Sequence, residues 1–186
     1  MKIALLSLLI AASAFAQTPH AGLPAACGSG KVSFNASLDD THNTPAQPDQ
    51  GKARVYFIQD NGTWGEDQHN TLKIGMDGTW VGAYKDNSWF FVSVQPGEHH
   101  VCANVQSHFS VGQLVALAHF TAEAGKVYYF RTRFLGGLIP PEWMGDSRNW
   151  NHESPPPPYL DLDPVDSDQG EYLIASYPLS VWKSNK

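Results

Sequence analysis

Ala53-Arg-Val-Tyr-Phe-Ile58, Leu72-Lys-Ile74, Thr79-Trp-Val-Gly-Ala-Tyr84, Trp89-Phe-Phe-Val-Ser-Val94, His99-His-Val-Cys-Ala-Asn-Val105, Leu114-Val-Ala-Leu-Ala-His-Phe120 and Lys126-Val-Tyr-Tyr-Phe-Arg-Thr-Arg-Phe134 succeed one another between Gly51 and Phe134. Each run is short and most are rich in β-branched and aromatic residues, which suits a pleated, half-buried strand. Turn chemistry separates them. Asp77-Gly78 tolerates positive φ at both positions, the signature of a two-residue hairpin. Pro96-Gly97 fits a type II turn, and Ala124-Gly125 breaks the chain before Lys126. Turns at such short intervals point to an antiparallel β-sandwich rather than to βαβ units. The Leu114–Phe120 run also suits a helical turn, because Leu and Ala favour helices; we read it as a strand.

Outward from this core, Lys31-Val-Ser-Phe-Asn-Ala-Ser-Leu38 alternates apolar and polar residues and reads as a first strand. Residues 17–50 thus form an N-terminal arm, a strand and a solvated loop, and residues 51–180 the sandwich domain. Residues 136–158 are a loop insertion holding Trp143, Trp150 and Pro155-Pro-Pro-Pro158. Proline lacks the donor a ladder needs, so this segment is expected to be loop ending in polyproline II. Asp166 with Gln169 three residues on marks the start of one short C-terminal helix running to about Ser176. The tail to Lys186 reads as either a last strand or irregular chain.

The first 16 residues have the form of a secretory signal. Lys2 gives the positive n-region, Ile3 to Ala12 the apolar h-region, and Ala14-Phe15-Ala16 the cleavage site. Export to the periplasm or beyond is therefore expected, with cleavage near Ala16. Nothing later is long and apolar enough for a transmembrane segment. The net charge of −6 over 186 residues disfavours nucleic acid and anionic membranes as partners. The chain has two cysteines, Cys27 and Cys102, and in an exported protein they predict one disulfide. Closing so long a loop is worth roughly 4 kcal/mol on the chain-entropy model.

The Ala53–Ile58 strand, the Asp77-Gly78 turn, Pro96-Gly97-Glu-His-His-Val-Cys102 and Ala124-Gly-Lys-Val-Tyr-Tyr-Phe-Arg131 resemble the family called domain of unknown function 2846. The resemblance spans roughly Gly51 to Ser176. It implies an exported or lipid-anchored bacterial β-sandwich, and it brings no catalytic residue, cofactor or partner with it. The chain departs from that pattern in lacking a good lipidation signal at Cys27 and in carrying the Trp/Pro insert.

Among the eight histidines, the metal candidates are His99, His100, His108 and His119. His99 and His100 are adjacent, so in a strand they point to opposite faces and do not chelate one ion together. No spacing assembles the three or four donors at about 2.0–2.3 Å that zinc or copper takes. The run Asp161-Leu-Asp163-Pro-Val-Asp166-Ser-Asp168 puts aspartate and tyrosine where a calcium loop needs glycine and glutamate. It reads instead as a solvated loop leading into the capped helix. Gly30-Lys31 lacks the rest of a phosphate loop, and Gly145-Asp146-Ser147 lies in the Pro-rich loop rather than after a strand.

Aromatic residues are the better lead. Alternation places Tyr56, Phe90, Val92 and Tyr128 on one inward face and sends Trp89, Phe91 and Tyr129 the other way. The second set needs a cover: the long loop with Trp143 and Trp150, the arm, or a partner. Trp143, Trp150, Trp89 and Tyr129 are therefore the partner-binding candidates, since Trp and Tyr anchor interfaces. The expected function is a non-enzymatic exported binding or accessory protein without cofactor. Its partner would be an envelope protein or ligand that the residues do not identify. A structural envelope component and a secreted metal-binding protein are the alternatives.

Overall fold

The strand Ala53–Gln59 (β2) is buried along its whole length because it is covered on both sides. Ala53, Val55 and Phe57 face a second sheet, while Tyr56 and Ile58 face a helix. The computed structural model describes residues 22–29, 32–41, 47–62, 70–106, 114–135 and 159–185. In chain order they form β1 (Ser33–Asp39), β2, β3 (Thr71–Met76), β4 (Thr79–Lys85), β5 (Trp89–Val94), β6 (Gly97–Gln106), β7 (Val115–Ala122), β8 (Val127–Leu135), β9 (Tyr159–Val165), α1 (Ser167–Ser176) and β10 (Leu179–Asn185). A six-stranded sheet, β1-β10-β5-β2-β8-β9, packs on a four-stranded sheet, β4-β3-β6-β7. The sandwich is as the sequence predicts, and Leu114–Phe120 supplies a strand.

The larger sheet is not built of hairpins alone. β2 pairs parallel with β8, and Leu179 of β10 pairs parallel with Trp89 of β5. The chain shuttles between sheets, so sheet neighbours are distant in sequence, which turn signals do not reveal. The Asp77-Gly78 turn forms as expected, with φ 51° and 82°, and Gly125 takes φ 76° after Ala124, whereas Gly97 at φ 140° opens β6 from a bend at Pro96 instead of completing a type II turn. Both positions of the Asp-Gly turn thus take the left-handed backbone that suits a strand-connecting hairpin.

Between the sheets lie Val55, Phe57, Leu72, Ile74, Tyr84, Phe90, Val101 and Phe130. Each large apolar side chain buried here is worth about 1.5–3 kcal/mol. Within this core Tyr84 Oη pairs with Thr132 Oγ1, 2.8 Å apart, and burial raises the tyrosine pKa. A second cluster, Tyr56, Ile58, Trp89, Tyr129, Leu173 and Ile174, lies under α1. Tyr56 therefore belongs with Trp89 and Tyr129, not with Phe90. Register decides this, because Tyr56 pairs with Phe91 and Tyr129, whereas Phe57 pairs with Phe90 and Phe130. Asp166 caps α1 by accepting the Gln169 amide at 2.9 Å, as the sequence predicts.

The acidic run is not a loop. Asp161 and Asp163 lie in β9, the edge strand beside β8, where Pro164 is tolerated. The Arg133 amide and Nε donate to the two Asp161 oxygens at 2.7 and 2.9 Å. Charge pairing across the strands thus orders a segment that looks solvated in sequence. Among the described residues, no helix is long and apolar enough to cross a membrane.

Candidate functional site

Cys27 and Cys102 are joined as expected, across a sequence separation of 75. The bond lays the arm on the outer face of the four-stranded sheet. Gly75 of β3 makes room for it, since a Cβ there would stand 2.8 Å from Cys27 Cα and 2.9 Å from the Gly28 nitrogen. The Gly78 amide donates to the Ala26 carbonyl at 3.2 Å, tying the arm to the β3–β4 turn.

A bulge decides what meets the arm. Gly82 pairs with Ile74 and Trp80 with Gly75, leaving Val81 as the extra residue. Val81 packs against the inter-sheet core, and Trp80 is turned outward over the backbone of Gly28, where a Cβ would come within 2.2 Å of the indole ring. Lys73 lies over the indole, with Nζ 4.5 Å from a ring centroid while donating to the Val32 carbonyl at 3.2 Å. Burial lowers the Lys73 pKa.

Facing Trp80 is the β1–β10 edge. Phe34 and Trp182 meet edge-to-face with centroids 5.3 Å apart. The Gln106 side chain holds β1 in place, accepting from the Phe34 amide at 2.7 Å and donating to its carbonyl at 2.8 Å. Between these elements runs an open groove of about 390 Å³ lined by Ser29, Val32, Phe34, Thr79, Trp80, Trp182 and Ser184, with Gly78 at its end. Its walls are aromatic, its rim carries hydroxyls, and no lining side chain is charged.

The candidates chosen from sequence fare differently. Trp89 and Tyr129, only 2% and 6% exposed, are closed core and not a partner surface. Trp89 Nε1 donates to the Tyr177 carbonyl at 2.8 Å and to the Ile174 carbonyl at 3.1 Å, and α1 lies against Tyr129 through Gly170. Burial, with the charge of Glu171 and the neighbouring Tyr56, pushes the Tyr129 pKa up to about 12. The cover for this face is α1. Trp143, Trp150 and His108 lie outside the described residues.

His99 is a structural clamp. Its Nδ1 contacts Asp77 Oδ2 at 2.7 Å and its Nε2 the Gln95 carbonyl at 2.8 Å. Two acceptors call for two donors, which is the imidazolium form. Burial alone would lower the His99 pKa, but the Gln95 carbonyl and the Asp77 carboxylate raise it on balance. Burial would likewise raise Asp77, yet the His100 amide and the His99 ring hold it below its ordinary value. His100 and His119 stand exposed on the outer face of the smaller sheet, opposite one another.

The groove was not legible from the residues singled out in sequence. Trp80 stands beside a turn in an otherwise ordinary strand, and only the bulge at Val81 shows that it points out. Trp182 lies in the tail whose structure the pattern leaves open. A signal was present in Val181-Trp-Lys183, an aromatic set between an apolar and a charged residue in a strand-length segment.

Residues 49–144 match the model of a family described as Protein of unknown function (DUF2846). No curated protein and no solved structure matches the chain. The matched span contains Thr79 and Trp80, while Phe34 and Trp182 lie beyond it.

Proposed function

We propose that the chain, which belongs to the family DUF2846 of proteins of unknown function, acts as a non-enzymatic exported binding protein whose ligand seat is the groove between Trp80 and Trp182. The carrying observation is the pair of half-buried indoles facing an open, uncharged groove with hydroxyls at its rim. Sites that bind small molecules combine apolar and aromatic walls with a few polar groups that fix orientation. Aromatic rings on such walls favour a ligand with a flat apolar face, and the hydroxyls of Ser29, Thr79 and Ser184 favour hydrogen-bonding groups at its edge. A neutral saccharide has both properties. Export accords with the disulfide, which persists in oxidising compartments.

The test is a titration of the protein with neutral di- and oligosaccharides, followed by the indole N–H resonances of Trp80 and Trp182. Saturable shifts at both, lost in Trp80→Ala and Trp182→Ala while the fold is kept, are expected. Unmoved indole signals across a broad glycan panel would remove the saccharide reading. Turnover of any member of the panel would replace it with an enzymatic one.

A further inference from the structure

We propose that His100 and His119 form a two-imidazole site for a divalent transition-metal ion, with Cu(II) held more tightly than Ni(II) or Zn(II). The two residues are direct register partners on β6 and β7. The Val105 amide donates to the Leu114 carbonyl, so odd-numbered residues of β6 bond toward β7. The His100 amide and carbonyl turn the other way, to Asp77. His100 and His119 are therefore a non-hydrogen-bonded pair, the type in which opposing side chains stand closest.

Their ring centroids are 6.1 Å apart with 32° between the planes. Two imidazoles sharing one ion at roughly 2.0–2.1 Å place their centroids roughly 5–6.5 Å apart, so the observed spacing needs only side-chain rotation. Both side chains are exposed. Glu98, two residues before His100 and so on the same face, brings Oε1 within 3.5 Å of His100 Nε2. It supplies negative charge beside the ion. Among the described residues, no three His, Cys, Asp or Glu side chains are placed to hold a metal together. The described residues thus supply two ligands, with water at the remaining positions. Imidazole suits copper, nickel and zinc, and the order among them follows the general affinity series. His99 takes no part, because it faces the other side of β6 and both its nitrogens are engaged.

The experiment uses the full mature protein without an affinity tag, titrated with Cu(II) by calorimetry and by paramagnetic broadening of amide resonances. Wild type should bind one ion, with broadening centred on residues 99–101 and 118–120. His100→Gln and His119→Gln should each weaken binding at least about tenfold, a scale reached even by residues outside the ligand shell. The double substitution should abolish the site while the metal-free melting temperature stays put. Unchanged affinity in the double variant, loss in only one single variant, or broadening centred elsewhere overturns the proposal.

Discussion

Replacing both cysteines, Cys27→Ala with Cys102→Ala, tests how far the arm depends on its bond. The cross-link closes a loop spanning a sequence separation of 75. On the chain-entropy model its removal costs about 4 kcal/mol. Both sulfurs are buried, with Cys27 4% and Cys102 0% exposed, so alanine also leaves unfilled space that adds to the loss. For a chain of this size each kcal/mol moves the melting temperature by about 2–4 °C, so a fall of roughly 8–16 °C is expected. The effect has a second, local part. Gly28 is the floor on which Trp80 rests, and Gly78 is bonded to Ala26. A freed arm exposes the indole, so tryptophan emission should shift to the red before global unfolding. Urea unfolding followed by circular dichroism and by fluorescence measures both. A stability loss under about 1 kcal/mol with an unchanged denaturant slope would refute the entropic account. An unshifted emission spectrum would refute the arm's role as the floor of the groove.

Three further outcomes follow from local geometry. Gly170→Ala should destabilise by about 1–3 kcal/mol in a thermal melt despite alanine's better helix propensity, because its Cβ would stand 2.3 Å from the Tyr129 ring; a gain in stability would mean that α1 does not pack there. Asp166→Ala should cost about 1 kcal/mol by removing the cap on the Gln169 amide, read by the same melt. The Asp77–His99 clamp sets a pH window: His99 is raised, so its contribution is full below its ordinary pKa and is lost as pH rises through the folded value, while Asp77 is lowered, so its contribution is full above the ordinary carboxyl pKa and is lost as pH falls through the folded value. The clamp is part-exposed and worth no more than about 1 kcal/mol, and urea midpoints from pH 4 to 9 should show His99→Gln flattening the alkaline side.

What the sequence revealed follows from how local each signal is. Alternation and turn residues act over a few positions, so β2 to β8, the Asp77-Gly78 turn and the Asp166 cap were legible. Cysteine pairing was legible because only one pairing exists. The facing of Tyr56 was not, since it depends on which residue of β5 stands opposite, a property of the register. β9 was hidden because its acidic residues are neutralised by Arg133, which is distant in sequence. The groove was hidden for a similar reason: it joins the arm, the start of β4 and the edge formed by β1 and β10, and its defining indole is turned outward by one extra residue. Aromatic residues were the right type to look for, but burial under α1 claims Trp89 and Tyr129, and among the described residues the outward-facing indoles are Trp80 and Trp182.

The pairing of β1 with β10 has a consequence for how the molecule is made. Ser33 stands opposite Asn185, and β10 also meets β5, so the last strand is wedged between an early strand and a middle one. Among the described residues β1 therefore has no sheet neighbour during synthesis until β10 has been made. Long-range closures of this kind slow folding. A chain shortened by its final strand would leave two unpaired borders, on β1 and β5, as open templates for self-association.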